Sequence, residues 1–174
     1  MKALRGDPMK HVIGIMLLFL VLTGCSTNAE EKSTTSIFYS PHADDEVLSM
    51  GAGILHHLAL DNEVIVVLLS EGTASKAFNL VNEKLENEGR LPITIEEFGQ
   101  ARVTEFQNSV AELGVSADNI FLYNLEDGKI TSEEVASIIY DFEGKYPNAL
   151  HNVMSYDDPH RDHAASGKAL KGLK

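Results

Sequence analysis

Ile37-Phe38-Tyr39-Ser40-Pro41-His42-Ala43-Asp44-Asp45-Glu46 joins a short apolar run to a dense polar turn. The first four residues suit a β-strand, Pro41 stops the run, and the acids that follow favour the first turn of a helix. A strand feeding directly into a helix is the repeating unit of an α/β fold. Reading outward, strand patterns fall at 35–40, 63–69, 119–123 and 150–155, and helical patterns at 45–59, 95–113, 131–145 and 163–171. This alternation predicts a parallel sheet with right-handed crossovers, a Rossmann-like doubly wound α/β fold with helices on both faces.

Local signals support these elements. Thr131-Ser132-Glu133-Glu134 is a capping box, and Val135, Ile138, Ile139 and Phe142 form one apolar face behind it. In the 45–59 helix, Val47, Leu48, Gly51, Ile54, Leu55 and Leu58 are expected to face the core. Residues 74–94 carry weak periodicity and follow a strand end, where open α/β sheets place ligand loops. Two readings stand for them: a loop covering substrate, or a solvated surface excursion.

The chemistry lies in two clusters. In the first, His42 and Asp45 stand three apart with Asp44 between them; in the second, Asp158-Pro159-His160-Arg161-Asp162-His163, two imidazoles stand three apart. Either alone has an ordinary explanation, helix-end acids for one and surface histidines for the other. Together they offer three protein ligands and leave a coordination position open, as catalytic zinc requires and structural zinc does not. A two-histidine, one-carboxylate set also fits iron(II). Cys25 is the only cysteine, so there is neither a disulfide framework nor a thiolate metal site.

Pro41-His42-Ala43-Asp44-Asp45-Glu46 resembles the (A/S)-H-(P/A)-D-D-E signature of the PIG-L (LmbE-like) family of zinc-dependent N-deacetylases, and His160-Arg161-Asp162-His163 resembles that family's H-x-D-H. Arg102 and Glu105, as R-x-x-E, and the Asp127-Gly128 loop agree with it, and the likeness runs from about residue 37 to about 170. The resemblance implies that His42, Asp45 and His163 hold the zinc, that Asp44 is the general base, and that His160 stabilises the oxyanion with Asp162 as its partner. Arg102 and Asp127 become substrate-binding residues. The residues themselves leave a second reading for each: a surface ion pair of Arg102 with Glu105, and a turn dipeptide at Asp127-Gly128. By analogy with the fold, a strand order of 3-2-1-4 would bring the two clusters together at a topological switch point. Only 11 residues follow His163, fewer than the family's further strands and helices need, which implies a C-terminally shortened domain spanning 35–174.

The composition narrows the partners. Fourteen basic against 26 acidic side chains give a net charge of −12. Lys2, Arg5 and Lys10 against Asp7 make the first 24 residues net +2, so the remainder carries −14, which disfavours nucleic acid. Those 24 residues read as an export signal, a charged segment ahead of an apolar stretch at 11–22 too short for a comfortable span, with Met9 as an alternative start. Leu22-Thr23-Gly24-Cys25 resembles the bacterial lipoprotein lipobox, which implies lipidation at Cys25, a flexible tether over 25–34, and attachment to the bacterial cell membrane facing outside the cytoplasm. The plainer reading is a cysteine at the end of an ordinary cleaved signal.

Two functions follow from different classes. One is a membrane-tethered, zinc-dependent hydrolase removing an acetyl group from an N-acetylated amino sugar of N-acetylglucosamine type or a related small molecule. The other is a non-catalytic surface lipoprotein that binds zinc or a glycan. The intact Asp44 favours the first and the short C-terminal segment the second. A Rossmann phosphate site is disfavoured, because no Gly-x-Gly-x-x-Gly follows the first strand and three acids stand where phosphate would sit.

Overall fold

The structure, a computed structural model, describes residues 34–173. The export segment, Cys25 and the tether up to residue 33 lie outside the described residues. Four parallel strands form one sheet in the order β3-β2-β1-β4. They are β1 (Thr35–Ser40), β2 (Glu63–Leu68), β3 (Ile120–Leu122) and β4 (Leu150–Asn152). The expected 3-2-1-4 order and doubly wound architecture are what the chain adopts. Among the described residues, no helix is long and apolar enough to cross a membrane.

Period-two alternation along the central strands builds two cores. Phe38, Val64, Val66 and Leu68 point to one face, where they meet Met50 and Ile54 and, from helix α4 (Ile95–Glu112), Val103, Phe106 and Val110. Ile37, Tyr39, Ile65 and Val67 point to the other, covered by α5 (Ser132–Lys145) and α6 (Arg161–Gly172). Strands buried on both faces read as continuous apolar runs because neither face meets water. The Thr131 capping box forms as expected, and a second one at Thr94 and Glu97 starts α4.

Two expectations about elements need correction. The 45–59 helix is broken into α1 (Asp45–Leu48) and α2 (Gly51–Ala59). Ser49 N and Met50 N both donate to the Asp45 carbonyl, at 2.9 and 3.0 Å, which widens the turn and interrupts the helix. In the first turn Asp45 and Glu46 are the buried residues while Leu48 is 79% exposed and Val47 is exposed, and in α2 Ile54 is buried while Leu55 is exposed. The 74–94 excursion is not a plain loop, since it contains α3 (Ala77–Asn87). Only Leu85 of that helix is buried, which explains its weak periodicity, and Asn82 ties the return segment by bonds to both N and O of Ile93.

Helix α6 starts at Arg161, two residues before the expected position. It lies very close to the segment after β4: a Cβ on Gly167 would fall 2.3 Å from Tyr156 N and 2.6 Å from Met154 O. That intimacy carries the second chemical cluster back over the C-terminal end of β1.

Candidate active site

The turn after β1 is pinned from below. Ser40 Oγ donates to the His42 carbonyl at 2.7 Å, and Pro41 O accepts from both Ser70 N and Ser70 Oγ. His42 is thereby fixed at the strand end, and its ring bridges two groups of acids. Nδ1 lies 3.2 Å from Asp45 Oδ2, while Nε2 lies 3.1 Å from Asp162 Oδ2 and 3.3 Å from Asp127 Oδ1. Asp45 Oδ2 also lies 3.1 Å from His163 Nε2, and the other ring nitrogen of His163 is 3.4 Å from Asp158. The ring of His160 completes the cluster, 4.8 Å from that of His42 and 4.7 Å from that of His163, centroid to centroid. Residues separated by most of the chain meet here, as the switch point between β1 and β4 requires.

This donor set fits a metal ion. Two ligands about 2.0 Å from a tetrahedral zinc stand about 3.3 Å apart, close to the spacing of Asp45 Oδ2 from each imidazole. One nitrogen of His42 faces Asp45 while the other faces carboxylates, the arrangement that orients metal-ligating imidazoles. The electrostatics agree. Burial lowers the affinity of His42 for a proton, but hydrogen bonds to Asp127, Asp45 and Asp162 outweigh it and raise its pKa to about 10. Asp45 responds in the opposite sense: burial raises its pKa, and His42 and then His163 bring it below the usual carboxylate value. Asp127 is lowered first by its bond to His42, against burial. A site so rich in buried carboxylate calls for positive charge, which a divalent cation supplies. Two ligand-spaced groups share His42, one of three imidazoles with His160 and His163 and one with the carboxylates of Asp127 and Asp162; Asp45 stands in neither, although it lies against both His42 and His163.

The structure corrects one pairing. Asp162, fully buried, does not reach His160; its Oδ2 accepts from Gly128 N at 2.7 Å and faces His42 Nε2. His160 is the N-cap of α6 with extended backbone, and Asp162 is two residues into the helix, so their side chains diverge. The Asp127-Gly128 loop lies against the cluster, with Asp127 Oδ2 accepting from Ala74 N at 2.7 Å.

Arg102, within α4, reaches the turn. Its Nη2 donates to Asp44 Oδ2 at 2.9 Å and to the carbonyl of Ala43, its Nη1 lies 3.5 Å from Glu105, and its buried Nε has no hydrogen-bond partner. The pair with Glu105 therefore forms, but only alongside the bond to Asp44. A cavity of about 240 Å³ opens between these groups, lined by His42, Asp44, Arg102, Asp127 and His160 and by Gly72 and Gly128. Sequence reasoning left Asp158 without a role although it stood in the quoted cluster, and it missed Ser109, whose Oγ donates to Glu46 Oε1 at 2.6 Å and which carries no motif signal.

The profile of the PIG-L family, described as GlcNAc-PI de-N-acetylase, matches residues 37–173. The chain belongs to the PIG-L family. No curated protein matches the sequence. Among solved structures, the chain is similar to the N,N'-diacetylchitobiose deacetylase from Pyrococcus horikoshii, at 20% identity and a TM-score of 0.62 over 95% of this chain and 58% of that one. It is similar to a deacetylase of the teicoplanin biosynthesis pathway in complex with teicoplanin, at 20% identity and a TM-score of 0.62 over 80% and 65%. It is also similar to GalB, the 4-carboxy-2-hydroxymuconate hydratase from Pseudomonas putida KT2440, at 21% identity and a TM-score of 0.61 over 78% and 55%. The chain thus spans less than two thirds of each of these structures. At such identity the likeness speaks to the fold, which hosts more than one chemistry.

Proposed function

We propose that this PIG-L domain is a zinc-dependent hydrolase that cleaves the amide of an N-acetylated amino sugar, releasing acetate and the free amine. The observation that carries this reading is the position of Asp44, a carboxylate at the wall of the cavity, beside the imidazole cluster and held by Arg102. His42, Asp45 and His163 are the residues that would hold the ion. Zinc, when bound, polarises a carbonyl and makes water acidic enough to attack near neutral pH. Arg102 takes only Oδ2 of Asp44 and keeps the side chain turned along the cavity. Asp44 then accepts the proton of the attacking water and returns it to the departing amine, so that the new C–O bond replaces the C–N bond without net proton loss. His160, at the same wall, is placed to donate to the developing oxyanion. Arg102 and the Asp127-Gly128 loop line the cavity and are the groups proposed to meet sugar hydroxyls.

The intact Asp44 is also why this reading is preferred to a non-catalytic zinc- or glycan-binding lipoprotein, which needs no proton acceptor at the wall. Acetate release from N-acetylglucosamine derivatives, measured with and without a chelator, tests it. Release that the chelator abolishes and zinc restores is expected, whereas no release from any N-acetylated sugar by the zinc-loaded protein overturns it.

Attachment to the membrane through a lipidated Cys25 belongs to the same reading and rests on the sequence. Cys25→Ser is expected to abolish incorporation of labelled lipid. Labelling equal to that of the wild type would remove the lipoprotein reading.

A further inference from the structure

The third acid of the motif, Glu46, does not behave as a solvated helix-end charge. It is 2% exposed, and both carboxylate oxygens are engaged. Oε2 accepts from the backbone N–H of Asp44 at 2.8 Å, and Oε1 accepts from Ser109 Oγ at 2.6 Å. Ser109 lies seven residues after Arg102 on α4, so the two share one helix face. That face grips the turn twice: Arg102 holds the Ala43 carbonyl and the Asp44 side chain, and Ser109, through Glu46, holds the Asp44 amide. Asp44 needs this grip. Its backbone lies at φ 157° and ψ −23°, a conformation that residues bearing a side chain keep only where the surrounding structure over-determines it.

We propose that Glu46, anchored by Ser109, is a positioning residue that clamps the backbone of Asp44 and so aims its carboxylate into the cavity. The inference rests on the reading of Asp44 as proton acceptor but assigns the third acid a task of its own. The task requires hydrogen bonding and not charge. A glutamine at position 46 can accept from Asp44 N and donate to Ser109 Oγ, preserving both links. An acid serving only the helix dipole would lose its effect on amidation.

The test uses the full chain loaded with zinc and three variants, Glu46→Met, Glu46→Gln and Ser109→Ala. Two readouts are taken: steady-state kinetics on an N-acetylated sugar, and hydrogen exchange of the Asp44 amide followed by 15N NMR. Glu46→Met should keep its metal and its KM while kcat falls about 10- to 100-fold, the order expected when a reacting group is misplaced by a fraction of an ångström to an ångström. The Asp44 amide should exchange faster in it, because its only side-chain acceptor is gone. Glu46→Gln should restore both properties, and Ser109→Ala should shift both in the direction of Glu46→Met by less. Equal losses in Glu46→Met and Glu46→Gln, or an Asp44 amide whose exchange is the same in all variants, overturn the proposal. Should Glu46→Met fail to fold, Ser109→Ala decides: unchanged exchange overturns the clamp and faster exchange supports it. An inactive wild type would remove the deacetylase reading, while the amide exchange would still decide for or against the clamp.

Discussion

Asp44→Asn is expected to retain its full complement of metal and to lose most of its turnover. The amide is nearly isosteric with the carboxylate, and its Oδ1 can still accept from Arg102, so the 2.9 Å link that orients residue 44 survives. Among the described residues the ion pair of Asp44 is with Arg102 and not with any of the clustered imidazoles. What the substitution removes is the capacity to take a proton from attacking water and to pass it to the leaving amine. General acid–base catalysis is worth roughly 100- to 10,000-fold, so kcat should fall by about that factor. Steady-state kinetics on the best N-acetylated substrate, paired with elemental analysis of the same preparation, decides the matter. Near-normal turnover with the metal in place would show that Asp44 is no general base, and that the 42–46 turn serves only to hold the ion.

Much of the framework was legible from the sequence, for identifiable reasons. The inner strands are buried on both faces, so Ile37-Phe38-Tyr39 and Val64 to Leu68 stand out as uninterrupted apolar runs. Once β1 lies between β2 and β4, chain reversal alone brings His42 to His160 and His163. What escaped was local. The apolar periodicity of Val47 to Leu58 continues through the break at Ser49 and Met50, because the break comes from one carbonyl, that of Asp45, taking two donors. Helix α3 buries a single large side chain, Leu85, so no stripe marked it. The partner of Asp162 was misjudged for a related reason. Adjacency to His160 suggested a pair, but the earlier start of α6 turns Asp162 inward to His42 and Gly128. Sequence spacing singled out the candidate groups, and the backbone decided which of them face one another.

Removing any one of His42, Asp45 or His163 should cost the protein its metal. In the proposed site each would supply one donor atom; the two histidines lie 3.2 and 3.1 Å from the same oxygen of Asp45, and two remaining donors hold zinc poorly. His42→Ala, Asp45→Ala and His163→Ala are therefore expected to emerge from dialysis with little zinc by elemental analysis, and with no turnover. Asp162→Asn should behave differently. It keeps all three donors but weakens the hold on His42 Nε2, so competition with a chelator should show about a 10- to 100-fold loss of affinity rather than an empty site. The close trio of His42, His160 and His163 makes the test sharp, because the same histidine pair could take its third ligand from His160 instead of Asp45. If Asp45 completes the site, Asp45→Ala loses the ion and His160→Ala keeps it, with the loss at His160 confined to turnover. The reverse pattern would place the ion among three imidazoles, and the ring nitrogen of His160 that ligates it would have no proton to give the oxyanion.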